Sequence, residues 1–387
     1  MPGTLPLSGI VIVEIGHSVA APYAGLILAD LGARVIKVEN PAGGDYARGW
    51  GPPFWEGTAS AFHSLNRGKE SITVDLSKAR DVAGLRRLIL QEADAVIQNL
   101  RPGLLAKHGL DAASLREAKP DLIYSDIGAF GAEGPMASKP GYDPLVQAFS
   151  GIMSVTGEGG RPPVRVGVSL VDMGSGMWSV IGILAALLAR AGTSGGEKGG
   201  GAHVATSLYE TGLAWMTVHL AGFAASGEVR RPHGSGLAEI VPYQAFDTRD
   251  GWLMIAAGND GLFRKLCLAL GRRDLADDPD FATNALRVVN RGRLVPDLER
   301  HMAGMPLDDL AAALDAAGVP CAPIQTVDQV MAHPQTQGLG MFRDDAGLPL
   351  AGLPVTLDGV RPRTSGKAPQ LGQHTGATLS KETVNAR

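Results

Sequence analysis

The 387-residue chain carries only two cysteines, Cys267 and Cys321, far apart and outside any CxxC pair. They give no disulfide framework and no thiolate cluster, and a reducing compartment, the cytoplasm, is the expectation. Its nine histidines are scattered, with no HExxH and no His/Cys cluster, so no metal site is expected. No charge of one sign dominates. A net charge of -4 offers no electrostatic reason for nucleic acid or an anionic membrane as partner. There is no basic segment ahead of an apolar one at the N-terminus, hence no leader to expect. Also missing is the glycine fingerprint of a dinucleotide site. The turn after the first apolar run reads Glu14-Ile15-Gly16-His17-Ser18-Val19-Ala20, where G-x-G-x-x-G would let a pyrophosphate approach a helix. Gly174-Ser175-Gly176 likewise lacks the frame of a hydrolase nucleophile elbow.

What is present in quantity is turn-forming residues: 52 glycines and 25 prolines. At about a fifth of the chain they mean many tight turns and backbone-lined clefts. A largely apolar run at 10–15 reads as a strand, as do segments at 34–38, 71–76, 95–98 and 122–127, separated by helical patterns at 20–31, 77–91 and 104–118. Strands without polar alternation, joined by helices, predict an α/β fold with a Rossmann-like parallel sheet covered on both faces. Residues 192–201 read as a surface loop and 207–225 as a helix. Past 230–238 the texture changes. Runs at 243–246 and 252–256 flank Asp247-Thr248-Arg249-Asp250-Gly251 and predict a hairpin. Helices at 261–270, 284–303 and 307–317 and a strand at 319–324 complete a small α+β unit. From His333 onward the chain is Gly/Pro-rich and is expected to pack back onto the first domain.

Residues 173–189 form one nearly uncharged stretch, at about 17 residues the lower edge of membrane-span length. Gly174, Ser175, Gly176, Ser179 and Gly182 suit tight packing inside a protein, so a buried core helix is expected. Asp172 stands at its mouth with no Lys or Arg within six residues on either side. A lone carboxylate there is a helix N-cap, a nucleophile, or both.

Ordered along the chain are Ala21-Pro22-Tyr23-Ala24-Gly25, Asp30-Leu31-Gly32-Ala33-Arg34-Val35-Ile36-Lys37-Val38-Glu39, Gly44-Asp45, Arg48-Gly49-Trp50, Asn66-Arg67-Gly68-Lys69, Asn99-Leu100-Arg101-Pro102-Gly103, Gly141-Tyr142-Asp143 and Leu371-Gly372-Gln373-His374-Thr375. By these segments the chain resembles the family III CoA-transferases, which include formyl-CoA and carnitine CoA-transferases and the α-methylacyl-CoA racemases. The resemblance spans essentially the whole chain. It implies a large α/β domain over residues 1–224, a linker at 225–241, a small α+β domain at 242–326, a second linker at 327–339, and a return to the large domain at 340–387. Two such chains thread into an interlocked homodimer. It further implies that Asp172 is the nucleophile, that acyl-CoA thioesters and carboxylic acids are the substrates, and that no cofactor is held tightly.

The resemblance also assigns a CoA track: Val19 and Ala20 near the pantetheine end, Val74, Asp75, Leu76, Asn99, Leu100 and Arg101 bordering the nucleotide, Lys107 facing phosphate, and Tyr142 lining the acyl channel. Arg67 and Lys69 are either phosphate ligands or solvated loop charges. Trp50, His233, Gly234 and Gly236 are candidates for substrate or oxyanion contacts, as are Gly174 and Gly176. Arg230, Arg231 and His233 are candidates for holding a distal carboxylate. Val19 stands where formyl-CoA transferases have Gln, Asn40 where they have a CoA-contacting Arg, and the glycine run near Gly234 is shorter than theirs. These departures favour a larger, C4–C6 dicarboxylic acceptor with succinyl-CoA as donor. The alternative is an α-methylacyl-CoA racemase, which would place a His where this chain has Tyr142. A phenol with an ordinary pKa near 10 is poorly matched to taking a proton at pH 7. A third reading, a non-catalytic CoA-binding subunit, would have no need of Asp172.

Overall fold

The structure, a computed structural model, describes residues 5–192, 199–344 and 347–379. Six strands form one sheet: β1 (Val11–Ile15), β2 (Arg34–Glu39), β3 (Glu70–Thr73), β4 (Ala95–Gln98), β5 (Ile123–Gly128) and β6 (His203–Ser207). All are parallel, in the order β3-β2-β1-β4-β5-β6. This is the doubly wound α/β order, and its switch point lies where β1 and β4 end side by side. Val13, Ile36, Ile72, Val96 and Tyr124 fill one face with Leu85 and Ile89 of the helix α2 (Ala79–Glu92). The other face is covered by α1 (Ala20–Asp30) and the long helix α4 (Leu170–Ala191). These two meet at Gly176, where a Cβ would stand 2.7 Å from the carbonyl oxygen of Ala20. Between them in sequence lies the short helix α3 (Asp143–Phe149), and after β6 comes α5 (Leu208–Trp215).

The chain end completes the sheet. Ser71 N–H donates to His374 Nδ1 at 3.0 Å, His374 N–H donates to the Ser71 carbonyl at 2.8 Å, and Thr73 N–H donates to Thr375 Oγ1 at 2.9 Å. The outer edge of β3 is thereby paired by residues some three hundred positions downstream.

The chain divides into two compact units, residues 1–152, 166–221 and 337–387 in one, and 153–165 with 222–336 in the other. Residues 153–165, which the sequence reading placed inside 1–224, group with the second unit. That unit holds an antiparallel sheet of Tyr243–Asp247, Trp252–Ala256 and Cys321–Pro323 with Leu253 opposite Phe246. Its core gathers Phe246, Leu253, Phe263, Leu266, Leu298 and Leu310. The stretch 327–339 carries two short helices, Val327–Ala332 and Pro334–Gly338.

Several expected helices are interrupted. The 104–118 pattern breaks at Gly109, whose φ of 63° is left-handed. The 284–303 pattern divides at Asn290, whose side-chain amide donates to the Asp280 carbonyl at 3.0 Å. The helix expected at 207–225 divides at Met216. Most of the expected loop at 192–201 lies outside the described residues.

Helix α4 differs from the buried core helix expected of it. Val171, Ser175, Ser179 and Ile183 face inward, but Met177, Trp178, Ile181 and Leu188 are exposed, Leu188 at 68 %. Among the described residues it is the one helix long and apolar enough to cross a membrane.

Candidate active site

The turn from β1 into α1 is the floor of the site. Asn99, just past β4, clamps it: its Oδ1 accepts the His17 N–H at 3.0 Å and its Nδ2 donates to the His17 carbonyl at 3.0 Å. Gly16 is needed there, since a Cβ would stand 2.8 Å from Asn99 Oδ1 and 2.4 Å from the Ala21 Cβ. Ser18 takes a left-handed φ of 70°, and its N–H donates to Asp45 Oδ1 at 2.8 Å. Asp45 is in turn ion-paired to the buried Lys37 at 2.8 Å, and Lys37 and Lys69 both bind Glu14, at 2.8 and 2.7 Å. A fully buried, fully paired charge cluster thus underlies the turn.

Above this floor lies a cavity of about 200 Å³ lined by Val19, Ala20, Asn99, Leu100, Arg101, Tyr142 and Asp172. A second, of about 530 Å³, is lined by Val74, Asp75, Leu76, Leu100, Arg101 and Leu104. The two share His17, Tyr46, Leu100 and Arg101 and so make one track. Its wider part is lined by Val74, Leu76, Leu100 and Leu104 together with Arg101 and the carboxyl groups of Glu39, Asp45 and Asp75, and its narrower part holds Asp172 with Arg101 and Lys139. Nine of the ten residues assigned to CoA therefore line it, and the tenth, Lys107, does not. Lys107 is exposed on a short helical turn nearby.

The N-cap reading of Asp172 is corrected. Helix α4 starts at Leu170, and Asp172 sits inside its first turn. The group that takes the helix's open N–H donors is Asp143, at the start of α3. Its Oδ2 accepts from Val171 at 2.9 Å and from Asp172 at 3.3 Å. Asp143 is buried and held by Gln147, whose Nε2 donates to its Oδ1 at 2.6 Å. The Asp172 carboxylate itself has no hydrogen-bond or ion-pair partner among the described residues. Burial, aided by the neighbouring Asp143 charge, pushes its pKa up to about 7. An unpaired carboxylate with a raised pKa that lines a cavity is a candidate reactive group.

The expectation for Arg67 and Lys69 is corrected. Arg67 and Lys69 are neither ligands nor solvated: both are buried, Arg67 paired with Asp30 and Lys69 with Glu14. Glu39, the position a ribose-binding carboxylate would take, is occupied by Arg48 at 2.7 Å and by the Ser71 hydroxyl at 2.6 Å. Gly174 and Gly176 are packing residues inside α4, against Thr211 and Ala20. Trp50 is exposed and lines neither cavity of the track. His233 and Gly234 line a separate cavity of about 750 Å³ in the second unit, with Arg230 and Arg231. Arg230 is paired there with Glu239. Gly236 packs beside Tyr243 and Gln244.

Two contributors were missed. His17 lines both parts of the track, stacks edge-on against Tyr46 at 4.9 Å, and has its pKa lowered by burial. Its place directly after a strand at the switch point was the available signal. Asp143 was visible only as part of a motif, because its partners are 28 and 29 residues away.

A family model described as CoA-transferase family III matches residues 7–375. A succinate–glutarate CoA-transferase from Agrobacterium fabrum is 38% identical over 98% of this chain and 96% of its own. An acetyl-CoA:oxalate CoA-transferase from Acetobacter aceti is 36% identical over 97% of this chain and 95% of its own. The crystal structure of a CAIB/BAIF family protein from Brucella suis superimposes with a TM-score of 0.88 at 41% identity, covering 97% of this chain and 98% of that one.

Proposed function

The chain belongs to CoA-transferase family III and is an acyl-CoA:carboxylate CoA-transferase, and on that premise we propose that it moves CoA from succinyl-CoA to a C4–C6 dicarboxylic acid through Asp172. The observation that carries this reading is the unpaired Asp172 carboxylate at the end of a track wide enough for a nucleotide and its arm. A carboxylate acceptor is a weak nucleophile toward a thioester, and covalent catalysis divides the exchange into acyl shifts. An Asp172 oxygen attacks the succinyl thioester carbonyl and the C–S bond breaks, leaving a mixed anhydride and CoA thiolate. The thiolate attacks the aspartyl carbonyl, and succinate departs as the anhydride C–O bond breaks. The acceptor carboxylate then attacks the aspartyl-CoA thioester and expels the thiolate. Its return to the acceptor's carbonyl gives the new acyl-CoA and frees Asp172. Arg101, where the two cavities join, suits the CoA phosphates.

For the acceptor, Val19 presents an apolar wall beside Asp172 that favours methylenes over oxalate, and the glutarate in one relative's name fits that preference. An obligate interlocked homodimer in the cytoplasm belongs to the same reading. The test is a donor-by-acceptor screen of CoA exchange by mass spectrometry. Succinyl-CoA with a C4–C6 dicarboxylate should exceed formyl-CoA with oxalate by at least about tenfold in kcat/KM, about 1.4 kcal/mol. Oxalate or a monocarboxylate as best acceptor would overturn the assignment of substrate.

A further inference from the structure

Helix α4 begins without a cap of its own: Ser169 stands in the cap position and its hydroxyl makes no cap hydrogen bond. The N–H groups of Val171 and Asp172, those a cap residue normally serves, are served from another helix by Asp143. Asp143 is fixed in turn. Gln147 donates to its other oxygen at 2.6 Å, and Gln147 Oε1 accepts the Val166 N–H at 2.8 Å, which ties down the segment leading into α4. Both side chains are buried. On the far side of the same turn, Ser175 Oγ donates to the Val171 carbonyl at 2.7 Å and lies 2.7 Å from Thr211 Oγ1. The backbone that carries Asp172 is thus gripped from two sides, while its carboxylate is left without a partner.

We propose that Asp143 is a positioning residue for the transfer reaction: by holding the Val171 and Asp172 N–H groups it aims the Asp172 carboxylate into the cavity, and it sets a second anion beside that carboxylate. This rests on the reading of Asp172 as the reacting group. An ordinary side-chain cap at residue 169 would satisfy the helix equally well but would bring no second anion beside the nucleophile. The other titratable groups lining the cavity are His17, Tyr46, Arg101, Lys139 and Tyr142. Beyond burial, the charge that raises Asp172 is that of Asp143.

The test is the pH profile of kcat/KM for the full-length enzyme, wild type beside Asp143→Asn and Asp143→Ser, both neutral and both still able to accept a hydrogen bond. In the wild type, activity should rise with pH through about 7, as Asp172 loses its proton. In each variant this rise should move down by about one pH unit, so that at the foot of the wild-type profile the variant's relative rate gains about tenfold. The KM for the acyl-CoA should stay within about twofold and the plateau kcat should fall. A merely structural Asp143 would lower thermal stability and leave the rise where it is, and that result overturns the proposal. Should neither variant fold, Gln147→Met, which loosens Asp143 and keeps its charge, takes their place: the plateau kcat should fall with the rise unmoved, and an unchanged plateau overturns the proposal. Asp172→Ala is measured in parallel. Turnover retained there defeats the assignment of Asp172 instead, whereas a dead Asp172→Ala with an unmoved profile in Asp143→Asn defeats only this inference.

Discussion

Asp172 carries its charge at a cost to the fold. A half-buried carboxylate with its pKa raised to about 7 binds its proton more tightly folded than unfolded. Its contribution to stability is therefore full below the ordinary value near 4 and is lost as pH rises to about 7. Asp172→Asn removes that loss. We predict that the Asn variant melts several degrees above wild type at pH 8 and that the gap closes as pH falls toward 4, in melts followed by circular dichroism. A gap independent of pH would contradict the buried-anion picture. The gain in stability should accompany loss of transfer, the usual exchange where a site is held strained for function. Tyr142 governs a separate expectation. With a phenol in place of the racemase histidine, a chiral 2-methylacyl-CoA incubated with the protein in heavy water should take up no α-deuterium by mass spectrometry. Rapid exchange would restore the racemase alternative.

At the scale of elements, the sheet was legible because period and burial agree. Strands at 95–98 and 34–38 lack a regular polar alternation, and each lies within the six-strand sheet, where even Lys37 is buried and ion-paired. Helix breaks were less legible. Asn290 ends one helix through a bond to Asp280 that no local pattern announces, and Gly109 looks like any loop glycine until its left-handed φ is seen. The site divides the same way. Nine of the residues singled out by family motif line the cavity track, but the status of Arg67 and Lys69 depended on Asp30 and Glu14, partners that only tertiary structure brings close. The cap role left open for Asp172 falls to Asp143, an acceptor that belongs to another helix. Packing between elements carries its own prediction. Gly176→Ala forces a methyl to within 2.7 Å of the Ala20 carbonyl oxygen, so α4 must move off α1. We expect a loss of about 1–3 kcal/mol in denaturant unfolding, typical of overpacking, with reduced activity because Asp172 rides on the same helix.

For the whole molecule, the exposed side of α4 is the most informative surface. Met177, Trp178, Ile181 and Leu188 are joined in exposure by Trp215, whose ring lies 6.5 Å from that of Trp178. An apolar band of this kind on one chain calls for a partner, and the interlocked homodimer we propose would provide one. Sedimentation velocity should find a dimer with no monomer even at nanomolar concentration, and Trp178→Glu should cut the yield of soluble dimer severely. A stable wild-type monomer would rule out the interlocked arrangement.

The pairing of β3 by His374 and Thr375 bears on how the molecule is made. Ser71 leaves the ribosome 303 residues before the partner that covers it. At 5–20 residues per second, that is roughly 15–60 s during which a nascent sheet shows an open edge. Biosynthesis therefore has a vulnerable interval set by topology rather than by stability. A premature stop just before Leu371 would make the interval permanent, turning a CoA-transferase into a template for aggregation with the rest of its sheet already in place.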